Sequence, residues 1–243
     1  MVSEKRPQVI HISPELENEV DYTSTRSFFF KRVLDIILSF FILTFILSWL
    51  LPVLAIMILM DSRGPVFFVQ KRVGAGGKVF RCYKLRTMYV NHLANVQQAQ
   101  ANDPRITSFG KFLRLSCLDE LPQFLNVLIG NMSIVGPRPH MLNDCKEFSS
   151  VIKNYGSRSL VKPGITGMAQ VKGFRGKTND YFDVAHRYKW DMFYIRNCSM
   201  RLDMQIIKLT VSYTLSTIYS SIAHRRNEKK KVKYQLETPE YLN

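Results

Sequence analysis

Residues Ile36–Met60, IILSFFILTFILSWLLPVLAIMILM, contain no charged side chain. A helix needs about 20 apolar residues to cross the hydrocarbon core of a bilayer, and this run exceeds that length. The core helix of a soluble protein keeps a polar face; this run keeps none. It starts too late, is too long and lacks a small-residue cleavage site before Asp61, so it does not read as a removed signal peptide. The run predicts a membrane helix.

Its flanks complicate the topology. Lys31 and Arg32 precede it, and Arg63, Lys71 and Arg72 follow. From Ser62 to Asn102 there are seven basic residues and no acidic one. A crossing helix would put one basic flank outside, against the tendency of such flanks to stay in the cytoplasm. Pro52 lies within the run, where it removes a backbone donor and bends a helix. A break there, with return to the same face, keeps both flanks together. The residues by themselves leave crossing and re-entry open.

The whole chain has 243 residues, a formal charge of +15 and 46% apolar residues. That apolar share excludes a disordered chain, and no fixed period marks a repeat protein. Cys82, Cys117, Cys145 and Cys198 lie far apart without a C-x-x-C pair, which argues against a disulfide framework or zinc site and for a reducing compartment. A pI near 9.8 calls for an anionic partner.

Composition divides the chain into a loose polar leader (1–26), the membrane segment (27–61), a catalytic-sized body (62–223) and a charged tail (224–243). Phe28 to Asp35 reads as a helix start at the interface, with aromatics at headgroup depth. VFFVQKRVG and KVFRCYKLRTM alternate in polarity around Gly74, Gly76 and Gly77, which predicts a β-hairpin. Residues 108–129 carry helical spacing, and Gly130-Asn131 is a helix stop. Pro163-Gly164 suits the centre of a type II turn before a short strand ITGMAQV. Residues 181–196 and 202–222 read as helices. The fold expected is α+β, predominantly helical, with interfacial helices and a small hairpin.

Four motifs bear on chemistry. GAGGK (Gly74 to Lys78) lacks the outer positions of the Walker and GxGxxG patterns and reads as the hairpin turn. Asp119-Glu120 in SCLDELPQF has two readings. Ser116 with Asp119 matches a capping box, and Pro122 suits a first helical turn. Alternatively, one carboxylate attacks phosphorus while the other holds a hard divalent cation such as Mg²⁺. In GPRP, Pro137 and Pro139 fix the backbone around Arg138, which suits a bidentate phosphate contact. Lys84, Arg86, Arg105 and Arg114 extend the candidate anion site. The histidines show no HExxH spacing, and neither a G-x-S-x-G elbow nor Asp-x-Asp is present.

In order, the chain carries KRVLD, an apolar run with Pro, GPVFFVQKRVG, FRCYKLRTM, DPRITSFGKFLRLSCLDELPQFLNVLIGNMSIVGPRPH, VKPGITGMAQVKG and DMFYIRNCSMRLDMQIIKLT. This series resembles the bacterial sugar transferases, the monotopic polyprenyl-phosphate phosphoglycosyl transferases, from about Phe30 to Thr210. The resemblance implies transfer of a sugar-1-phosphate from a UDP-sugar to undecaprenyl phosphate with release of UMP, which starts glycans such as exopolysaccharide or O-antigen. It implies Asp119 as nucleophile, Glu120 beside it as metal holder, Arg138 and Arg114 as phosphate contacts, and Gln170 and Asp191 as residues shaping the site. It also implies Mg²⁺, a re-entrant helix broken at Pro52, and a catalytic domain on the cytoplasmic face of the bacterial inner membrane. Leu51 stands where the family often has Ser, and Met168 where it commonly has Trp. A homodimer is left open.

Two rival classes would explain parts of the sequence. A membrane-tethered nucleic-acid binder accounts for the charge, but no helix-turn-helix, RRM-like or finger pattern is present. A non-enzymatic scaffold of polysaccharide assembly needs no Asp-Glu pair. The expected partners are therefore UDP-sugar, undecaprenyl phosphate and membrane lipid, with no nucleic acid.

Overall fold

The computed structural model describes residues 25–95, 97–100, 103–174 and 181–237, with the side chains of 28–94, 97–100, 103–174, 181–221 and 223. The leader lies almost wholly outside them. The described chain opens with helix α1 (Thr25–Phe41), a π-helical run (Ile42–Leu47) and helix α2 (Ser48–Asp61). Phe28–Asp61 is long and apolar enough to cross a membrane. Phe29, Phe40, Phe45, Trp49, Ile56 and Met60 are all exposed on it, an apolar surface suited to lipid rather than water.

Pro52 lies inside α2, and the chain stays helical through it. The departure from α geometry comes earlier, in the π-helical run that ends at Leu47. Proline cannot donate to the carbonyl four residues back, and its ring crowds that carbonyl. A widened turn just ahead gives the helix room to adjust. Side chains take up carbonyls within it: Ser48 Oγ donates to Thr44 O, and Trp49 Nε1 donates to Phe45 O at 2.9 Å. In hydrocarbon such substitutions matter, because no water replaces a lost bond.

Both ends of this helical segment hold the same body. Near the start, Lys31 pairs with Asp203 at 2.6 Å, and Arg32 donates to the carbonyls of Val127 and Leu128. Asp35, buried, accepts from Ile134 N. Near the end, Leu54 and Ile58 pack with Leu85 and Leu113, and Asp61 accepts from Phe109 N at 3.0 Å.

The expected hairpin forms from β1 (Phe67–Val73) and β2 (Val79–Leu85), paired antiparallel with Phe68 opposite Lys84. Its turn bends through Gly76 and Gly77 at φ 62° and 72°, values a side chain would resist. Helix α3 (Ser108–Ser116) is capped by Thr107, whose hydroxyl accepts from Gly110 N. The helical spacing over 108–129 is divided between two helices, the second starting just after Pro122, which suits a first helical turn. Cys117 turns left-handed at φ 58°, a short 3₁₀ turn (Leu118–Glu120) follows, and α4 (Gln123–Ile129) begins after Pro122. Gly130 ends α4 in the left-handed region, as its sequence position indicates.

Strand β3 (Ser133–Val135) leads into helix α5 (Leu142–Val151) and pairs in parallel with β4 (Gly164–Thr166). The turn expected at Pro163-Gly164 is not formed: Gly164 is the first residue of β4 and has no positive φ. Its reason is proximity, since a Cβ there would lie 2.1 Å from Gly136 N. The strand expected through Val171 stops at Thr166, and Met168–Val171 is a short helix, α6. Helix α7 (Tyr181–Arg196) and the long helix α8 (Met200–Glu237) complete the chain, so helix continues into the expected tail. The main core gathers Val127, Val135, Tyr194, Ile195 and Ile206 from α4, β3, α7 and α8, with Met132 from the connection between α4 and β3.

Candidate active site

The break between α3 and α4 is what presents the carboxylates. Ser116 Oγ donates back to Phe112 and Leu113 carbonyls, so the expected capping box is not made. The left-handed Cys117 redirects the chain, and Asp119 and Glu120 both turn inward at 8% and 6% exposure. A non-glycine residue held at positive φ is strained, and such strain collects at functional sites.

A cavity of about 500 Å³ opens in front of them. Its walls come from the hairpin, the α3–α4 break, the GPRP segment, α5 and α7. Six basic side chains line it (Arg72, Lys84, Arg86, Arg114, Arg138 and Arg187) against three carboxylates, Asp119, Glu120 and Asp144. That excess of positive charge suits a polyanionic ligand.

Glu120 is tightly paired. Its Oε1 accepts from Lys84 Nζ at 2.8 Å and from Arg138 NH2 at 2.7 Å. This carboxylate raises the Arg138 pKa further, against the opposing effect of burial. Asp119 differs: no hydrogen bond reaches its carboxylate from the described residues. Burial, and then the neighbouring Glu120 charge, push its pKa up to about 6, while Lys84, Arg114 and Arg138 pull it down. The two adjacent carboxylates thus sit in different surroundings, Glu120 held by two cations and Asp119 hydrogen-bonded to none of the described residues.

Arg138 is fixed from behind. Gly136 N donates to Thr166 O and Gly164 N to Pro137 O, both at 2.9 Å, which locks the proline-flanked segment onto β4. Arg158 NH2 donates to Arg138 O, and Arg158 Nε donates to Asp191 at 2.7 Å. Asp191 is buried, outside the cavity lining, and acts on the site through Arg158. Asp191→Ala should therefore cost about 3 kcal/mol of stability, as loss of one member of a buried pair does, and a lowered Tm would register it. The same protein should show a raised KM for its anionic substrate, because Arg138 loses its anchor.

The other sequence-selected residues divide. Lys84 and Arg114 line the cavity, with Arg114 Nε held by Thr87 Oγ1 at 2.8 Å. Arg86 also lines it, but its guanidinium bonds the Pro65, Arg63 and Ser62 carbonyls and Ser62 Oγ, which staples the exit of α2. Arg105 is bound to Asp103 at 2.7 Å. Gln170 lies at a different, smaller cavity.

Arg72, Arg187 and His140 line the main cavity and were not selected from sequence. Arg72 had a signal, since it shares a strand face with Gln70 and Phe68. His140 faces Arg158 at 3.2 Å on Nδ1 and Arg187 at 3.3 Å on Nε2. Burial first, and then these arginines, hold its pKa well below the usual value, so it stays neutral.

Among the described residues, no group of three or more His, Cys, Asp or Glu side chains converges. A divalent cation would draw its protein ligands from Asp119 and Glu120, with water and substrate oxygens completing the shell. Two carboxylates on one cavity wall fit a hard cation such as Mg²⁺ on that basis.

The profile of the family described as "Bacterial sugar transferase" matches residues 25–217. The chain belongs to the bacterial sugar transferase family. Three curated relatives are named UDP-glucose:undecaprenyl-phosphate glucose-1-phosphate transferase. The protein from Klebsiella pneumoniae is 49% identical over 75% of this chain and 39% of its own length. That from Xanthomonas campestris is 51% identical over 66% of this chain and 34% of its own. That from Caulobacter vibrioides is 43% identical over 77% of this chain and 70% of its own. The match thus spans little more than a third of the first two. Within this family chain, both carboxylates and the GPRP arginine fall inside the matched region.

Proposed function

We propose that this protein transfers a sugar-1-phosphate from a UDP-sugar to undecaprenyl phosphate, releasing UMP, through a covalent intermediate on Asp119. The relatives' names supply the reaction class and make UDP-glucose the first donor to test. One observation carries the two-step route: of the paired carboxylates, Glu120 is bound by two cations, whereas Asp119 is buried in the same wall with no donor on it among the described residues.

In the first step an Asp119 oxygen attacks the sugar-bearing phosphorus of the donor. The bond from that phosphorus to the bridging oxygen breaks, and UMP departs with the electron pair. In the second step a phosphate oxygen of the lipid attacks the same phosphorus, and the Asp119 carboxylate leaves. The product is a lipid-linked sugar diphosphate, the start of a glycan such as an exopolysaccharide. Lys84, Arg114 and Arg138 hold the negative charge that builds on the phosphoryl oxygens; positioning and charge stabilisation are most of what such a transfer needs. Mg²⁺ bound by Asp119 and Glu120 would neutralise phosphate charge.

The topology belongs to the same proposal. A bilayer core about 30 Å thick cannot separate two helix ends that dock on one small body. The contacts of Lys31, Arg32 and Asp35 at one end and of Leu54, Ile58 and Asp61 at the other therefore support a segment that enters and returns. The widened turn that ends at Leu47, ahead of Pro52, suits a bend. The body then sits at the cytoplasmic face of the bacterial inner membrane, where nucleotide sugars are made.

The test omits the lipid. Purified protein with Mg²⁺ and UDP-glucose should release about one UMP per active site and gain a sugar-phosphate visible by intact-protein mass spectrometry. Undecaprenyl phosphate should then discharge the adduct. A protein that makes lipid-linked product with neither burst nor adduct would show direct transfer, and Asp119 would be a metal ligand only.

A further inference from the structure

A second cavity, of about 200 Å³, lies at the α3–α4 break and shares Glu120 with the first. Its walls include Leu121, Phe124, Ile165 and Val171, with Thr210 and Tyr213 of α8. The break that carries the carboxylates therefore has a polar, cationic cavity and a mainly apolar one bordering it.

The surroundings point to an occupant. Elements that bound this cavity carry exposed apolar residues, among them Phe112 on α3, Leu125 and Ile129 on α4, and Val211, Tyr213 and Leu215 on α8, apolar surface suited to lipid. Glu120 at its border is bound by Lys84 and Arg138, so an anionic head placed there meets two cations while an apolar chain lies in the cavity.

Resting on the reading that the acceptor is a polyprenyl phosphate, we propose that this second cavity is the acceptor subsite. It takes the first isoprene units of the lipid, with the phosphate at its Glu120 border beside Lys84 and Arg138, while the larger cavity takes the nucleotide sugar. The isoprene carbons lie on Leu121, Phe124, Ile165 and Val171. Glu120, common to both cavities, marks where donor and acceptor meet.

The experiment uses the unaltered protein in vesicles with a polyprenyl phosphate bearing a diazirine on its first isoprene unit. After photolysis, adducts should map to residues 116–124, 165–171 or 210–213, and unlabelled undecaprenyl phosphate should compete them away. Adducts on the hairpin or α7 wall of the larger cavity would overturn the proposal. Val171→Trp, which fills the cavity, should raise the KM for the lipid about tenfold by removing apolar contact, with the UMP burst from UDP-glucose unchanged. A Val171→Trp protein with normal burst and normal lipid KM would also overturn it. If wild-type protein neither releases UMP nor glycosylates lipid, the reaction itself is misassigned; an active enzyme labelled elsewhere refutes the subsite alone.

Discussion

Asp119→Asn should leave a folded protein that binds nucleotide sugar and transfers none of it. The amide carries no charge and is a poor nucleophile toward phosphorus, so neither UMP burst nor adduct forms, and turnover falls more than about a thousandfold. Stability should move the other way. The folded-state pKa of Asp119 lies above the ordinary carboxylate value because burial and Glu120 oppose its charge. That opposition is absent at low pH, where the group is protonated in both states. It grows as pH rises and is fully present above about 6. At neutral pH the amide removes it, and Tm should rise by a few degrees. A loss of activity with a gain in Tm cannot be misfolding. The same shift sets the pH profile of the wild-type burst, which should fall as pH drops through about 6 and Asp119 takes up a proton. An Asp119→Asn protein with activity within a few-fold of wild type would end the covalent reading.

The sequence made the two carboxylates and Arg138 legible because each sits in a distinctive local pattern. It did not show how they meet. Apolar spacing runs on from Leu113 to Leu121 and Phe124, so the α3–α4 break is invisible to periodicity; it depends on Cys117 at φ 58°, a residue with no intrinsic claim to that conformation. Arg86 looked like part of an anion site because charge is a property of sequence, whereas its carbonyl partners from Ser62 to Pro65 are a property of the fold. Asp191 and Arg158 stand 33 positions apart and form a pair only after α7 packs. The hairpin, by contrast, was fully readable, since alternation and a glycine turn are local. Pro52 marked the right helix, while the irregular turn fell several residues earlier, where the widened geometry accommodates the proline.

Arg138→Ala should lower kcat/KM for the nucleotide sugar by about 10²- to 10³-fold, the scale set by loss of one preorganised charge contact. Two effects combine. A phosphate contact disappears, and Glu120, which accepts from Arg138 at 2.7 Å, keeps the Lys84 bond at 2.8 Å without its partner. The surplus of positive charge on the cavity wall shrinks as well, so the loss should deepen as salt screens what remains. Arg138→Lys separates charge from geometry. A lysine restores the charge but offers a point donor rather than a planar fork, and it should recover only part of the loss. Added guanidinium should restore more activity to the alanine protein than added ammonium at equal ionic strength. If lysine recovered full activity, Arg138 would be acting as charge alone, and the rigid proline-flanked segment locked to β4 would have no catalytic purpose. If alanine cost nothing, the anion site would have to be built from Arg72, Arg114 and Arg187, which line the same cavity, and the GPRP arginine would have no part in holding the phosphates.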